Sequence, residues 1–239
     1  LFVASFFVFS SKRYCDVAPS MNTINWALTK KIIGLGAQFF IIMVCMLFIF
    51  QVINIIIVRV CGPENVTAYN IAYKYFNILN MAMMIIVTPF WSACADAYTK
   101  KDFLWMKNVI EKMEMIWKLS ICVLIIMILV SSTFYDIWVG DSVKISLSLS
   151  VMVGVYILVQ NLCGIYIYMI NGTSKIRLQL VVYLVSAFIS VPTMYFLCSK
   201  YGITVMLLVP ISVCLIQAFV AKKQLTKIIR GTASGIWIK

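Results

Sequence analysis

IIGLGAQFFIIMVCMLFIFQVINIIIV, residues 32–58, runs for 27 positions without an Asp, Glu, Lys or Arg. A transmembrane helix needs about 20 predominantly apolar residues, so this segment can cross a bilayer once. Five further uncharged runs follow, at 75–95, 119–135, 145–174, 178–199 and 201–221. They are too continuously apolar for the alternating pattern of a transmembrane barrel. A helix, by contrast, satisfies all of its backbone polar groups within one segment. The expectation is an all-α polytopic membrane bundle with six complete transmembrane helices, spanning 32–221.

Composition agrees. Of 239 residues, 63% are hydrophobic and 12% are charged, whereas a soluble domain carries roughly 25% charged residues. Residues 1–11 form another uncharged apolar run, halted at Lys12-Arg13. A signal peptide carries its positive charge ahead of the apolar region, not behind it. Residues 1–11 therefore read as the end of a seventh helix, residues 12–31 as a cytoplasmic linker and 222–239 as a basic cytoplasmic tail. The chain reads as the C-terminal part of a longer protein.

The net charge of +12 follows the loops and is no nucleic-acid footprint. Sixteen of the 20 Lys and Arg residues fall on one side, in 12–31, 100–118, 175–177 and the tail. Arg59, Lys144 and Lys200 fall on the other, and Lys74 lies near or within a span. An excess of Lys and Arg in short loops marks the cytoplasm. That places the C-terminus inside and makes three out-and-back hairpins.

There is no histidine, which removes imidazole acid–base catalysis and His–metal centres. The eight cysteines include no CxxC pair, and Cys45, Cys122, Cys163 and Cys214 lie within apolar runs, where Cys acts as a small apolar residue. No phosphate-binding loop, HExxH or GxSxG is present. The expectation is no enzyme, no cofactor and no metal, but a conduit or scaffold.

Between the second and third runs, Phe103, Met106, Val109-Ile110, Met113 and Trp117 recur at three- and four-residue steps. This is an amphipathic helix, expected to lie on the membrane surface as a connector. Trp117 and Trp138 bracket the third run as interface anchors.

Polar residues inside the spans form stripes. Gln51 and Asn54 lie in the first span, and Asn70, Tyr73, Lys74 and Asn77 in the second. In the fourth, Tyr156, Gln160, Gly164 and Tyr168 repeat every four residues, with Asn161 beside Gln160. Interhelical hydrogen bonds would explain any one of these amides, at about 0.6 kcal/mol each. Taken together, the stripes imply a hydrated cavity. Lys74 lies seven residues after Thr67, about 10 Å along a helix. At that depth it either snorkels to the surface or faces the cavity.

Residues 34–102 carry a more specific signal: GLGAQFF, then GPE–V–YN–AYK–F, then TP–WSA–DAY–K–DF–W. This succession resembles the bacterial oligosaccharide flippases, the Wzx-type O-antigen translocases. They belong to the multidrug/oligosaccharidyl-lipid/polysaccharide exporter superfamily. The resemblance implies about twelve helices in two six-helix halves, of which this chain supplies the second. It also implies translocation of undecaprenyl-pyrophosphate-linked oligosaccharide across the bacterial inner membrane for O-antigen, capsule or lipopolysaccharide biosynthesis. Under it, Lys74 and Arg59 supply charge along the substrate path, and Gln51, Asn54, Asn70, Tyr73, Asn77, Gln160 and Asn161 supply hydrogen bonds. The implied partners are the lipid-linked oligosaccharide, the bilayer, the N-terminal six-helix half and the polysaccharide polymerase machinery, with no nucleic acid. A multidrug exporter of the same superfamily and a membrane glycan polymerase or ligase are the alternatives. Absent intramembrane acids argue against the first, and short outer loops against the second.

Overall fold

The computed structural model describes residues 25–140 and 143–238. The expected seventh-helix end at 1–11, and the linker as far as residue 24, lie outside these. Among the described residues there is no strand, and six helical segments are long and apolar enough to cross a membrane.

The first segment begins with α1 (Trp26–Met46), passes through a π-helical stretch, Leu47–Gln51, and ends with α2 (Val52–Cys61). Residues 25–37 belong to a separate unit, in which Lys30 and Lys31 are exposed on the first turns of α1. The six residues from Trp26 to Lys31, read as linker, are therefore helical. Flanking charge marks where lipid ends but does not terminate a helix.

From Gln38 onward the chain packs as one bundle. Gly62, at φ 89°, is the whole connection between α2 and α3 (Pro63–Val87). Pro63 suits the first turn of α3, where its missing N–H costs nothing. Pro89 then starts α4 (Pro89–Thr99) one residue after α3 ends, and the Thr88 hydroxyl donates to the Met84 carbonyl at 2.6 Å. The proline thus interrupts the second span without ending it.

α5 (Phe103–Val139) corrects the expected surface connector. It is one continuous 37-residue helix, started by Asp102, whose carboxylate accepts from Trp105 N at 3.0 Å. At 1.5 Å per residue it is about 55 Å long, against a hydrocarbon core of about 30 Å. The amphipathic stretch is the first part of this same helix, with Met106, Val109, Ile110 and Met113 buried. Its periodicity is the same for a helix on a membrane and a helix on a bundle. The Trp117 indole N–H donates to the Leu158 carbonyl at 2.8 Å, so this side chain turns toward the bundle.

α6 (Leu147–Thr173) and α7 (Arg177–Tyr201) follow, then α8 (Ile203–Met206) and α9 (Leu208–Ile229), with Leu207 between the last two. α6 and the α8–α9 segment are the most enclosed, each 56% buried over its most apolar stretch, against 17% for α5 and α7. α6 is the central post. Its last turn meets α4 at Gly172, where a Cβ would stand 2.9 Å from the Trp91 carbonyl oxygen and 3.0 Å from Cys94 Cβ. Only glycine permits that approach. The outward surface carries Ile85, Leu129, Ile137 and Phe188, all more than three-quarters exposed, the face that hydrocarbon covers.

Candidate functional site

The polar residues of three spans converge. Gln51 closes the π-helical stretch, Asn54 lies on α2, Asn70, Tyr73 and Lys74 on α3, and Gln160 on α6. All six line one cavity of about 790 Å³. Pockets that hold small ligands are typically about 300–1,000 Å³. The 3.6-residue period puts Asn70, Tyr73 and Lys74 on adjacent faces of α3, and Tyr156 and Gln160 one turn apart on α6.

Three of the nine sequence-derived positions are not in the lining. Arg59 is exposed in the last turn of α2. Asn77 is half-buried, and its amide oxygen accepts from Asn80 Nδ2 at 3.1 Å. Asn161 is only 1% exposed, and neither polar atom of its amide has a hydrogen-bond partner among the described residues. One residue on from Gln160, it is turned about 100° around α6.

Residues outside the sequence-derived set complete the wall. Phe50, Tyr69 and Tyr156 join Tyr73. The Tyr73 ring centroid lies 6.0 Å from that of Tyr69 and 6.4 Å from that of Tyr156, and Phe50 lies 6.3 Å from Tyr156. Tyr156 belonged to the four-residue stripe on α6, so its place was readable. Phe50 was not, because the π-helical stretch sets its direction and the sequence gives no sign of that extra-wide turn. Such turns frequently occur at functional sites.

The polar chemistry is one-sided. No Asp or Glu is among the lining residues, and Lys74 is the one charge. Lys74 is exposed and has no carboxylate partner among the described residues. Asn54 Oδ1 and Gln160 Oε1 are buried with no hydrogen-bond partner. The amide groups of the lining can both donate and accept, which suits a ligand rich in hydroxyl groups.

A second, smaller cavity of about 400 Å³ lies among α5, α6 and α9, lined in part by Lys107, Glu111, Glu114, Tyr166, Lys222 and Arg230. Here opposite charges are already matched. Glu114 accepts from the Tyr166 hydroxyl at 2.7 Å and pairs with Lys222 at 3.0 Å, while Lys107 sits 3.7 Å from Glu111. This is a junction of three helices, and the larger cavity, whose Lys74 meets no carboxylate among the described residues, is the candidate site. No group of three or more His, Cys, Asp or Glu that could hold a metal occurs among the described residues.

A polytopic helical bundle with a polar cavity between its spans has the build of a membrane transporter. The MatE family model matches residues 39–196. The chain belongs to the MatE family, transporters of the multidrug/oligosaccharidyl-lipid/polysaccharide exporter superfamily. Comparison with curated proteins found no match, and neither did comparison with solved structures.

Proposed function

We propose that this chain moves a lipid-linked oligosaccharide, an undecaprenyl-pyrophosphate glycan, across the bacterial cytoplasmic membrane for surface polysaccharide (O-antigen or capsule) biosynthesis. One observation carries the choice: the cavity offers four amides, several tyrosine and phenylalanine rings and one lysine, and no carboxylate. Sugar hydroxyls hydrogen-bond with the amides of Gln51, Asn54, Asn70 and Gln160 that line the wall. The C–H faces of sugar rings, slightly positive, stack against the negative faces of Tyr69, Tyr73 and Tyr156. Lys74 meets the pyrophosphate or an acidic sugar. A cationic drug fits poorly. Two like charges 6 Å apart repel by about 3 kcal/mol at an effective dielectric of 20, a factor of roughly 100 in affinity.

Phe40, Met43 and Leu47 line the same cavity and are more than half exposed, which leaves polar groups such as Lys74 open on that side. A second six-helix half closing over them, with the two halves alternating, gives the cargo a path screened from lipid. The charge asymmetry orients the bundle with the C-terminus and the first part of α5 in the cytoplasm.

The test uses the full-length protein in a flippase-deficient bacterium. Lys74→Gln lowers glycan export at unchanged membrane levels, and Lys74→Arg retains most of it. Wild-type export by the Gln variant removes Lys74 from the path, leaving it a snorkelling surface residue.

A further inference from the structure

α2 and α7 bring two thiols together at the same end of the bundle. Cys61 is the last residue of α2, and Cys198 stands three residues before the end of α7. Their sulphurs are 3.4 Å apart, across 137 residues of sequence. Each helix stops at a left-handed glycine, Gly62 at φ 89° and Gly202 at φ 81°. The backbone is tied at both places. The Cys61 carbonyl accepts from Asn65 Nδ2 at 2.7 Å, and the Cys198 carbonyl from Gly202 N at 3.0 Å. Arg59 lies two residues before Cys61 and Lys200 two residues after Cys198. Both cations belong to the sparsely charged side of the membrane, so the thiols sit near that surface.

We infer that Cys61 and Cys198 form a disulfide on the outer face of the membrane, made by a dithiol–disulfide oxidant of that compartment. The inference rests on the orientation proposed above. Cys61 is partly exposed and Cys198 only 2% exposed, which sets the order of events. The Cys61 thiolate attacks the oxidant's disulfide, forming a mixed disulfide and releasing one oxidant thiolate. The Cys198 thiolate then attacks Cys61 Sγ and expels the second. Two protein thiols lose two electrons and two protons, and the oxidant leaves as a dithiol. The other close thiols, Cys163 and Cys214, are 3% and 2% exposed within the spans, out of reach of a water-borne oxidant. The bond would clamp the outer end of α2 to α7. Asn54 lies seven residues earlier on α2, about 10 Å away along its axis, so the clamp steadies the helix that carries part of the cavity wall.

The experiment counts thiols on the full-length protein, taken from cells by acid quench and alkylated in denaturant with a mass-tagging maleimide. Within residues 1–239, which hold eight cysteines, we expect two to resist alkylation until reduction. Peptide mass spectrometry should recover the Cys61–Cys198 linked pair, and the remaining partner thiol should react without reduction in Cys61→Ser and in Cys198→Ser. Eight reactive thiols in the unreduced wild type would overturn the disulfide. A parallel sample of membranes treated with copper–phenanthroline then locates the fault. Efficient cross-linking there, with none in cells, means the thiols face the reducing side and the orientation is wrong. No cross-linking in either sample means the two helix ends are not adjacent.

Discussion

The junction of Glu114, Tyr166 and Lys222 makes a quantitative prediction about what holds three helices together. The Glu114 side chain is 20% exposed and Lys222 is 54% exposed. Tyr166 is buried and donates to Glu114 at 2.7 Å. A hydrogen bond to a charged group contributes about 1.5–3 kcal/mol, against about 0.5–1.5 for a neutral one. A salt bridge with a largely exposed partner contributes about 0.2–1 kcal/mol. Tyr166→Phe therefore costs more than Lys222→Ala, although the second removes a full charge. The ring that Lys222 covers at 5.6 Å is retained in the Phe variant, so only the hydroxyl is lost. In a Glu114→Gln background the Tyr166→Phe cost should fall to the neutral range. Unfolding in mixed micelles against added SDS, followed by circular dichroism, measures the wild type and these four variants. A larger loss for Lys222→Ala, or a neutral Tyr166→Phe, would refute this account of the junction.

Other outcomes follow from the same packing. Gly172→Val should destabilise the bundle by about 1–3 kcal/mol in the same titration, since its Cβ collides with the backbone of α4; Gly172→Ala should show a smaller loss of the same sign. In a cysteine-free variant, Lys144→Cys should react with a membrane-impermeant thiol reagent on intact cells, while Ser174→Cys and Ser234→Cys should not; the opposite pattern reverses the orientation. Asn54→Leu and Gln160→Leu should each reduce glycan export by removing an amide from the cavity wall while leaving membrane levels near normal, as immunoblotting can check.

Much of the architecture was legible because lipid imposes length and polarity together. The uncharged run 145–174 contains α6 almost residue for residue, and 178–199 lies within α7. Legibility failed where a helix leaves the lipid. α1 starts six residues before the run at 32–58, and α5 runs through the charged residues at 107–118 into the run at 119–135 without a break. Charge reports solvent, and helix ends are set by caps such as Asp102. The cavity was half legible. A four-residue stripe on α6 and the Asn70–Lys74 face of α3 announced their side chains. Nothing local separates Gln160, in the lining, from Asn161, buried outside it; rotation about α6 decides that. The contact between Cys61 and Cys198 was invisible, because it depends on where two helices end and not on any spacing.

What the cavity carries can be followed in a reconstituted vesicle. Purified full-length protein is placed in liposomes with a fluorescent polyprenyl-pyrophosphate oligosaccharide, and the lipid's sidedness is followed by a membrane-impermeant glycosidase. Loss of protection should depend on the protein and slow with Lys74→Gln, while the flux of a cationic dye such as ethidium should not accelerate. Rapid dye transport with the glycan lipid left on its original leaflet would contradict it, and the chain would then be a multidrug exporter.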